Sequence, residues 1–103
     1  MAVEICSRDG LSTVVVRGEL DLALVPEVRA AAEKTFERPE EPLVLDLREL
    51  TFIDSSGLGY LVELHNRAHA AGRAFSLANV PLVAARTISL GGLASLLGVE
   101  PVS

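Results

Sequence analysis

The segment Asp54-Ser55-Ser56-Gly57-Leu58-Gly59 sets one carboxylate, two hydroxyls and two glycines between the apolar pair Phe52-Ile53 and a run with helical spacing. Helix starts leave backbone N–H groups unsatisfied and carry partial positive charge, so a small exposed hydroxyl there is placed to carry or contact a phosphate. The same residue types also serve as an ordinary N-cap, a role worth about 1 kcal/mol. Gly57 and Gly59 go beyond a bare cap. Each costs roughly 1 kcal/mol of helix propensity relative to Ala, which calls for an offset such as close helix packing or close approach of a partner. A phosphoryl group at this turn would bring roughly −1.5 to −2 charges beside Asp54, favoured by the helix end and unfavourable to a partner docked on an acidic surface. The chemistry expected is modification of a serine as a substrate, adding charge and bulk at an interface while the domain stays folded.

Other chemistries lack their residues. The turn does not follow the Gly-x-Ser-x-Gly order of a hydrolase nucleophile elbow, and no general base is identifiable beside it. Neither a Gly-x-Gly-x-x-Gly fingerprint nor a phosphate loop ending in Gly-Lys-Ser/Thr is present. His65 and His69 stand four apart on an expected helix, a spacing able to reach one metal, yet a third ligand and the Glu of a zinc-protease motif are missing. His65 should border the apolar stripe and His69 face outward. Asp46, in a strand pattern, is expected to hydrogen-bond neighbouring backbone or to sit at the strand's open end. No catalytic residue or metal site is expected.

With 103 residues, half of them hydrophobic, the chain fits a single domain over 1–103. Nine basic against fourteen acidic residues give a net charge of −5 without any Lys or Arg run, which argues against a nucleic-acid partner. No leader pattern follows Met1 and no apolar run approaches the ~20 residues of a membrane span, so a cytoplasmic protein without membrane contact is expected. The single cysteine, Cys6, lies in a strand pattern and is expected to be buried.

The elements that must position the turn follow from periodicity. Val3 and Ile5 alternate with Glu4 and Cys6, Asp9-Gly10 interrupts, and Thr13 to Val16 resumes, which predicts a tight hairpin. Pro26 opens a helix with Val25, Val28, Ala32 and Thr35 or Phe36 on its apolar side and Glu27, Arg29, Glu33, Lys34 and Glu37 on its wet side. Leu43-Val44-Leu45 with Leu47 reads as a central strand covered on both faces. From Gly57, the residues Leu61, Leu64, Ala68 and Ala71 form one stripe opposite Glu63, Asn66 and Arg73, and Gly72 stops the helix. Ala74 to Ala78 reads as a strand, Pro81 to Ile88 as a helix ended by Gly91-Gly92, Leu93 to Leu97 as one or two further turns, and Val99 to Val102 as a last strand. A hairpin followed by alternating helices and strands is an α/β layer pattern.

Two segments give the chain a resemblance to a known family: Gly18-Glu19-Leu20-Asp21, at the end of the second expected strand, and Leu45-Asp46-Leu47 through Phe52-Ile53-Asp54-Ser55-Ser56-Gly57-Leu58-Gly59. It resembles the STAS domain of bacterial anti-sigma factor antagonists. The resemblance covers nearly the whole chain and implies an α/β STAS (SpoIIAA-like) fold, with a four- or five-stranded mixed sheet and helices packed largely on one side. It also implies phosphorylation at Ser55, with Ser56 as second choice, and partner binding through Glu19, Asp21, Asp54, Ser55, Ser56, Gly57 and Leu58. The chain stops at Ser103, so the additional C-terminal helix of some members is expected to be absent or shortened.

By the same resemblance, the unphosphorylated protein would bind a serine-kinase anti-sigma factor and free its sigma factor. Phosphorylation by that kinase would end the binding, and a serine phosphatase would reset it. ATP and magnesium would belong to the kinase, so no cofactor is expected in this chain. The alternative is a STAS module that is not phosphorylated and binds a small molecule, a lipid or a transport-complex partner, since a shared fold does not fix function.

Overall fold

The computed structural model describes residues 2–102. In chain order the elements are β1 (Val3–Arg8), β2 (Leu11–Val16), β3 (Gly18–Leu20), α1 (Val25–Thr35), β4 (Leu43–Asp46), β5 (Leu50–Ile53), α2 (Ser55–Ala70), β6 (Phe75–Ala78), α3 (Leu82–Leu90) and α4 (Ala94–Leu97). The expected hairpin forms, with Asp9 at φ 55° and Gly10 at φ 74°, the left-handed pair that lets a two-residue turn match strand twist. β1 and β2 are antiparallel, whereas β2, β4 and β6 are parallel neighbours, giving a four-stranded mixed sheet in the order β1-β2-β4-β6. This matches the α/β architecture expected of a STAS fold.

The sheet's faces differ. Val14, Val16, Leu43 and Leu45 are fully buried beneath the helices, while Thr13, Val15, Val44 and Asp46, alternating with them, are only half-buried. The strand expected to be covered on both faces is therefore covered on one. Valine serves the outer face for its fit to a pleated surface, and Leu47, counted in the same run, is buried in the loop after β4. Cys6 also lies half-buried on the outer face instead of in the core.

Three further expectations change. Gly18–Leu20 does not end β2: Gly18, at φ 85°, breaks the chain there, and β3 pairs in parallel with β5 as a second, two-stranded sheet. Val99–Val102 is no strand, because Gly98 turns left-handed at φ 68° after α4 and the segment bonds to helices instead. Val99 N–H donates to Ala94 O and Val102 N–H to Ser89 Oγ, while Pro101 has no N–H to give a sheet. On α2, Ala71 is exposed at the helix end and Tyr60 joins Leu61, Leu64 and Ala68 on the buried stripe.

Arg73 is the largest departure, since it belongs not to the wet face of α2 but to the interior, at 5 % exposure. Gly72, at φ 66°, turns the chain inward just before it. Its Nε donates to Glu41 O (2.6 Å), its Nη1 to Thr35 Oγ1 (2.9 Å), and its guanidinium lies 4.6 Å from the Phe36 ring centroid. Burial pushes its pKa down, but an arginine remains charged. Glu41 extends this junction: its Oε1 accepts from the buried Ser12 hydroxyl (2.6 Å) and from Ser7 Oγ (2.9 Å). Outside it, Arg29–Glu63 (2.8 Å) and Glu33–Arg67 (2.9 Å) join α1 to α2 as exposed ion pairs of small energetic weight.

Replacing Arg73 with Met leaves Thr35 and the Glu41 carbonyl without their donors, and is expected to lower unfolding free energy by about 2–4 kcal/mol in urea titrations. The hydroxyls of Ser12 and Ser7 hold the Glu41 carboxyl below its ordinary value of 4.5. Its stabilisation is complete above pH 4.5 and is lost as pH falls through the lower folded-state value. Thermal melts from pH 7 to pH 3 should therefore show a shallower acid decline for Glu41→Gln than for the parent.

Candidate functional site

Strands β3 and β5 end at the same level, with Leu20 opposite Ile53 and both side chains buried. Asp21 and Asp54 therefore leave the small sheet side by side, and Asp54 N–H donates to Leu20 O at 3.3 Å. Asp54 is extended (φ −106°, ψ −172°), and its Oδ1 accepts the Gly57 N–H at 3.0 Å. It is the N-cap of α2, which makes Ser55, Ser56 and Gly57 the first three helical residues. Ser55 is exposed and Ser56 half-buried. Among the described residues, no hydrogen bond engages either serine hydroxyl.

The two glycines separate here. A Cβ on Gly57 would collide with the Leu20 carbonyl and come within 2.9 Å of Leu20 Cγ and Ile53 Cγ1, so close packing accounts for this glycine. A Cβ on Gly59 would meet nothing within 4 Å, so packing does not account for the second.

Asp21 also organises backbone. Its Oδ1 accepts the Leu24 N–H at 3.0 Å, and its carbonyl accepts from Leu24 (3.1 Å) and Val25 (3.0 Å), forming the turn that starts α1. Glu19 is exposed and pairs in register with Phe52, itself 44 % exposed. Leu58 is half-buried, and its Cδ2 would lie 2.8 Å from a Cβ on Gly91, so the end of α3 lies against the first turn of α2. The structure thus gathers Asp21, Asp54, Ser55, Ser56 and Gly57 at one corner, with Glu19 and Leu58 at its border.

Two residues missed in the sequence flank this corner: Leu22, beside Asp21 at 73 % exposure, and Leu90, just before Gly91 at 90 % exposure. Their only sequence signal is a leucine standing in a short polar or glycine-bounded segment. Exposed leucines beside a carboxylate-rimmed turn suit a protein contact more than a small-molecule cavity.

Electrostatically, the turn combines the positive end of the 16-residue α2 with the carboxylates of Asp21 and Asp54, each of which accepts one backbone N–H through Oδ1. Among the described residues no group of three or more potential ligands could hold a metal. His65 and His69 lie further along α2 with rings 6.4 Å apart and nearly parallel; His65 is half-buried and His69 exposed. Asp46 accepts from Arg48 N–H (3.0 Å) and Asn79 Nδ2 (3.1 Å), tying the loops after β4 and β6 together in a structural role.

Residues 6–98 match the family described as Mlab, STAS domain. The chain belongs to the STAS domain family. It is 36 % identical over 74 residues to a STAS-domain containing protein of Pseudomonas aeruginosa, covering 71 % of this chain and 72 % of that protein. It is 27 % identical over 100 residues to an anti-sigma F factor antagonist of Paenibacillus polymyxa, covering 96 % and 86 %. The crystal structure of an anti-sigma factor antagonist from Mycobacterium paratuberculosis superposes with a TM-score of 0.83 at 26 % identity, over 97 % of this chain and 85 % of that one. No helix among the described residues is long and apolar enough to cross a membrane.

Alanine substitutions should divide the two glycines in denaturant unfolding. Gly57→Ala is expected to destabilise by about 2 kcal/mol or more through overpacking. Gly59→Ala should be neutral or stabilising by up to about 1 kcal/mol, because it gains helix propensity in open space.

Proposed function

We propose that this protein is an anti-sigma factor antagonist that works by partner switching in the cytoplasm. The unphosphorylated form binds a serine-kinase anti-sigma factor and releases its sigma factor; phosphorylation of Ser55 by that kinase, which carries the ATP and magnesium, ends the binding. A serine phosphatase restores the active form. The observation that carries this reading is the division of labour at the turn. Asp54 supplies the N-cap, so Ser55 stands exposed at the first helical position with its hydroxyl in no hydrogen bond among the described residues.

The surroundings support the same mechanism. A phosphoryl group on Ser55 joins the helix's positive end, so α2 tolerates it, yet it adds roughly −1.5 to −2 charges beside Asp54 and Asp21. A partner whose contact is matched to the unmodified acidic turn then meets bulk and excess negative charge. Glu19, Asp21, Asp54, Ser56, Gly57 and Leu58 form the polar and close-packed part of the contact; Leu22, Phe52 and Leu90 provide its apolar part. Ser56, half-buried, is the second choice for modification. The antagonist names of the Paenibacillus and Mycobacterium relatives agree with this role.

The test is incubation with magnesium ATP and lysate of the source cells, followed by intact-mass and fragment mass spectrometry. One phosphoryl group should appear on Ser55 and be absent from Ser55→Ala. No modification, in a lysate that phosphorylates a control substrate, favours the non-phosphorylated STAS module that binds a small molecule, a lipid or a transport-complex partner. Against a cognate anti-sigma factor, Ser55→Ala should bind like the parent and Ser55→Glu roughly 10–100-fold more weakly in calorimetry. Equal binding of the parent and Ser55→Glu would defeat the switch.

A further inference from the structure

The outer strand of the main sheet, β1, ends the order β1-β2-β4-β6, and among the described residues no strand pairs with its outer edge. Its hairpin register decides which backbone groups are free. Ser12 N–H donates to Pro42 O on the β4 side, and Arg17 N–H donates to Ala2 O on the β1 side. Even-numbered residues of β2 therefore face β4, odd ones face β1, and the β1 residues bonded to β2 are Glu4, Cys6 and Arg8. Val3, Ile5 and Ser7 turn their N–H and C=O groups outward. Beside this edge runs a groove of about 380 Å³ lined by Val3, Glu4, Ile5, Glu27 and Ala31, with Ile5 40 % exposed.

We propose that this edge pairs with the same edge of a second copy, in an antiparallel arrangement about a two-fold axis at Cys6. The occupant is chosen by charge. In that register Glu4, which also pairs with Arg17 of its own chain at 3.0 Å, faces Arg8 of the second copy and Arg8 faces Glu4, and the outward groups of Ile5 and Ser7 bond across the axis. Glu27 and Ala31 of α1 line the groove beside Val3, Glu4 and Ile5, so a second copy paired at this edge turns its α1 toward the first. On α1, Glu27, Ala30, Ala31 and Lys34 form a stripe at helical spacing with small residues in the middle and opposite charges at the ends. Antiparallel α1 helices then set Glu27 against Lys34 of the second copy, twice, with alanines allowing close approach. Strand and helix are each self-complementary, as a two-fold interface requires. Charged residues on an edge strand usually repel foreign edges, but here they match their own kind. The contact lies in β1 and α1, not in the serine turn, and does not depend on the switch.

The test is sedimentation velocity of the full chain over a concentration series. A dimer is expected, and a monomer throughout overturns the proposal. Ile5→Lys, checked for folding by circular dichroism, should be monomeric; a dimer unchanged by it places the interface elsewhere and overturns the proposal. Should Ile5→Lys not fold, the helix charges decide. Glu27→Lys should weaken the dimer by about tenfold or more, and Glu27→Lys with Lys34→Glu should restore it. No rescue overturns the two-fold pairing. The register has its own readout. Directly opposed, non-hydrogen-bonded residues of an antiparallel pair have Cα atoms about 4.5 Å apart, within disulfide range. Diamide, accepting two electrons and two protons from the two thiols, should therefore yield a covalent dimer that Cys6→Ser abolishes. A dimer that resists this cross-link overturns the Cys6-centred register.

Discussion

The approach of Gly57 to the Leu20 carbonyl sets the distance between the first turn of α2 and the small β3–β5 sheet. No other residue type fits there, because a Cβ would collide with backbone that cannot move aside like a flexible side chain. Through that contact the cap of one helix and the leading turn of another come to rest on adjacent strand ends. Asp54 reaches Gly57 while Asp21 reaches Leu24, and both aspartates follow residues paired in parallel. A second sheet of only two short strands thus aligns two loops of the serine corner.

The opposite part of the molecule is held by a different device. There the chain between α1 and β4 is pinned by Arg73, which reaches Thr35, Phe36 and the Glu41 carbonyl, while the Glu41 side chain receives the hydroxyls of Ser7 and Ser12. Buried polar groups of this kind are expensive unless paired; Arg73 is paired through Nε and Nη1, while its buried Nη2 has no hydrogen-bond partner among the described residues, so the junction is specific where an apolar plug would only be adhesive. It connects the hairpin, α1 and the entry to β6. One end of the fold is therefore fixed by shape and the other by polar geometry.

Most of the element order was legible, because the hairpin, α1, β4 and α2 carry strong periodic patterns with turn residues at their ends. The serine turn was legible for the same reason: a cap residue, two hydroxyls and two glycines have local meaning. What failed was whatever depends on partners distant in sequence. Gly18–Leu20 looks like the tail of β2 until Leu50–Ile53 is seen beside it. Arg73 falls on the polar side of an idealised α2, but the chain turns at Gly72 and sends it inward. Val44 resembles core because strands select valine on either face, and Val99–Val102 has strand-like composition but is turned by Gly98 onto Ala94 and Ser89, which take its N–H groups. Leu22 and Leu90 gave little warning, since one exposed leucine in a loop looks like any other until its neighbours are known.

Separating the cap from the hydroxyl has a consequence for how variation at this corner is read. Asp54 holds the helix, and nothing among the described residues leans on the Ser55 side chain, so folding places almost no constraint on what occupies that position. A survey that ranks variants by cellular abundance, solubility or melting temperature would score Ser55 as tolerant while marking Asp54 and Gly57 as sensitive. The residue proposed to carry the switch would be invisible to it, and the sensitivity of Asp54 and Gly57 would report the fold of the turn and not the switch.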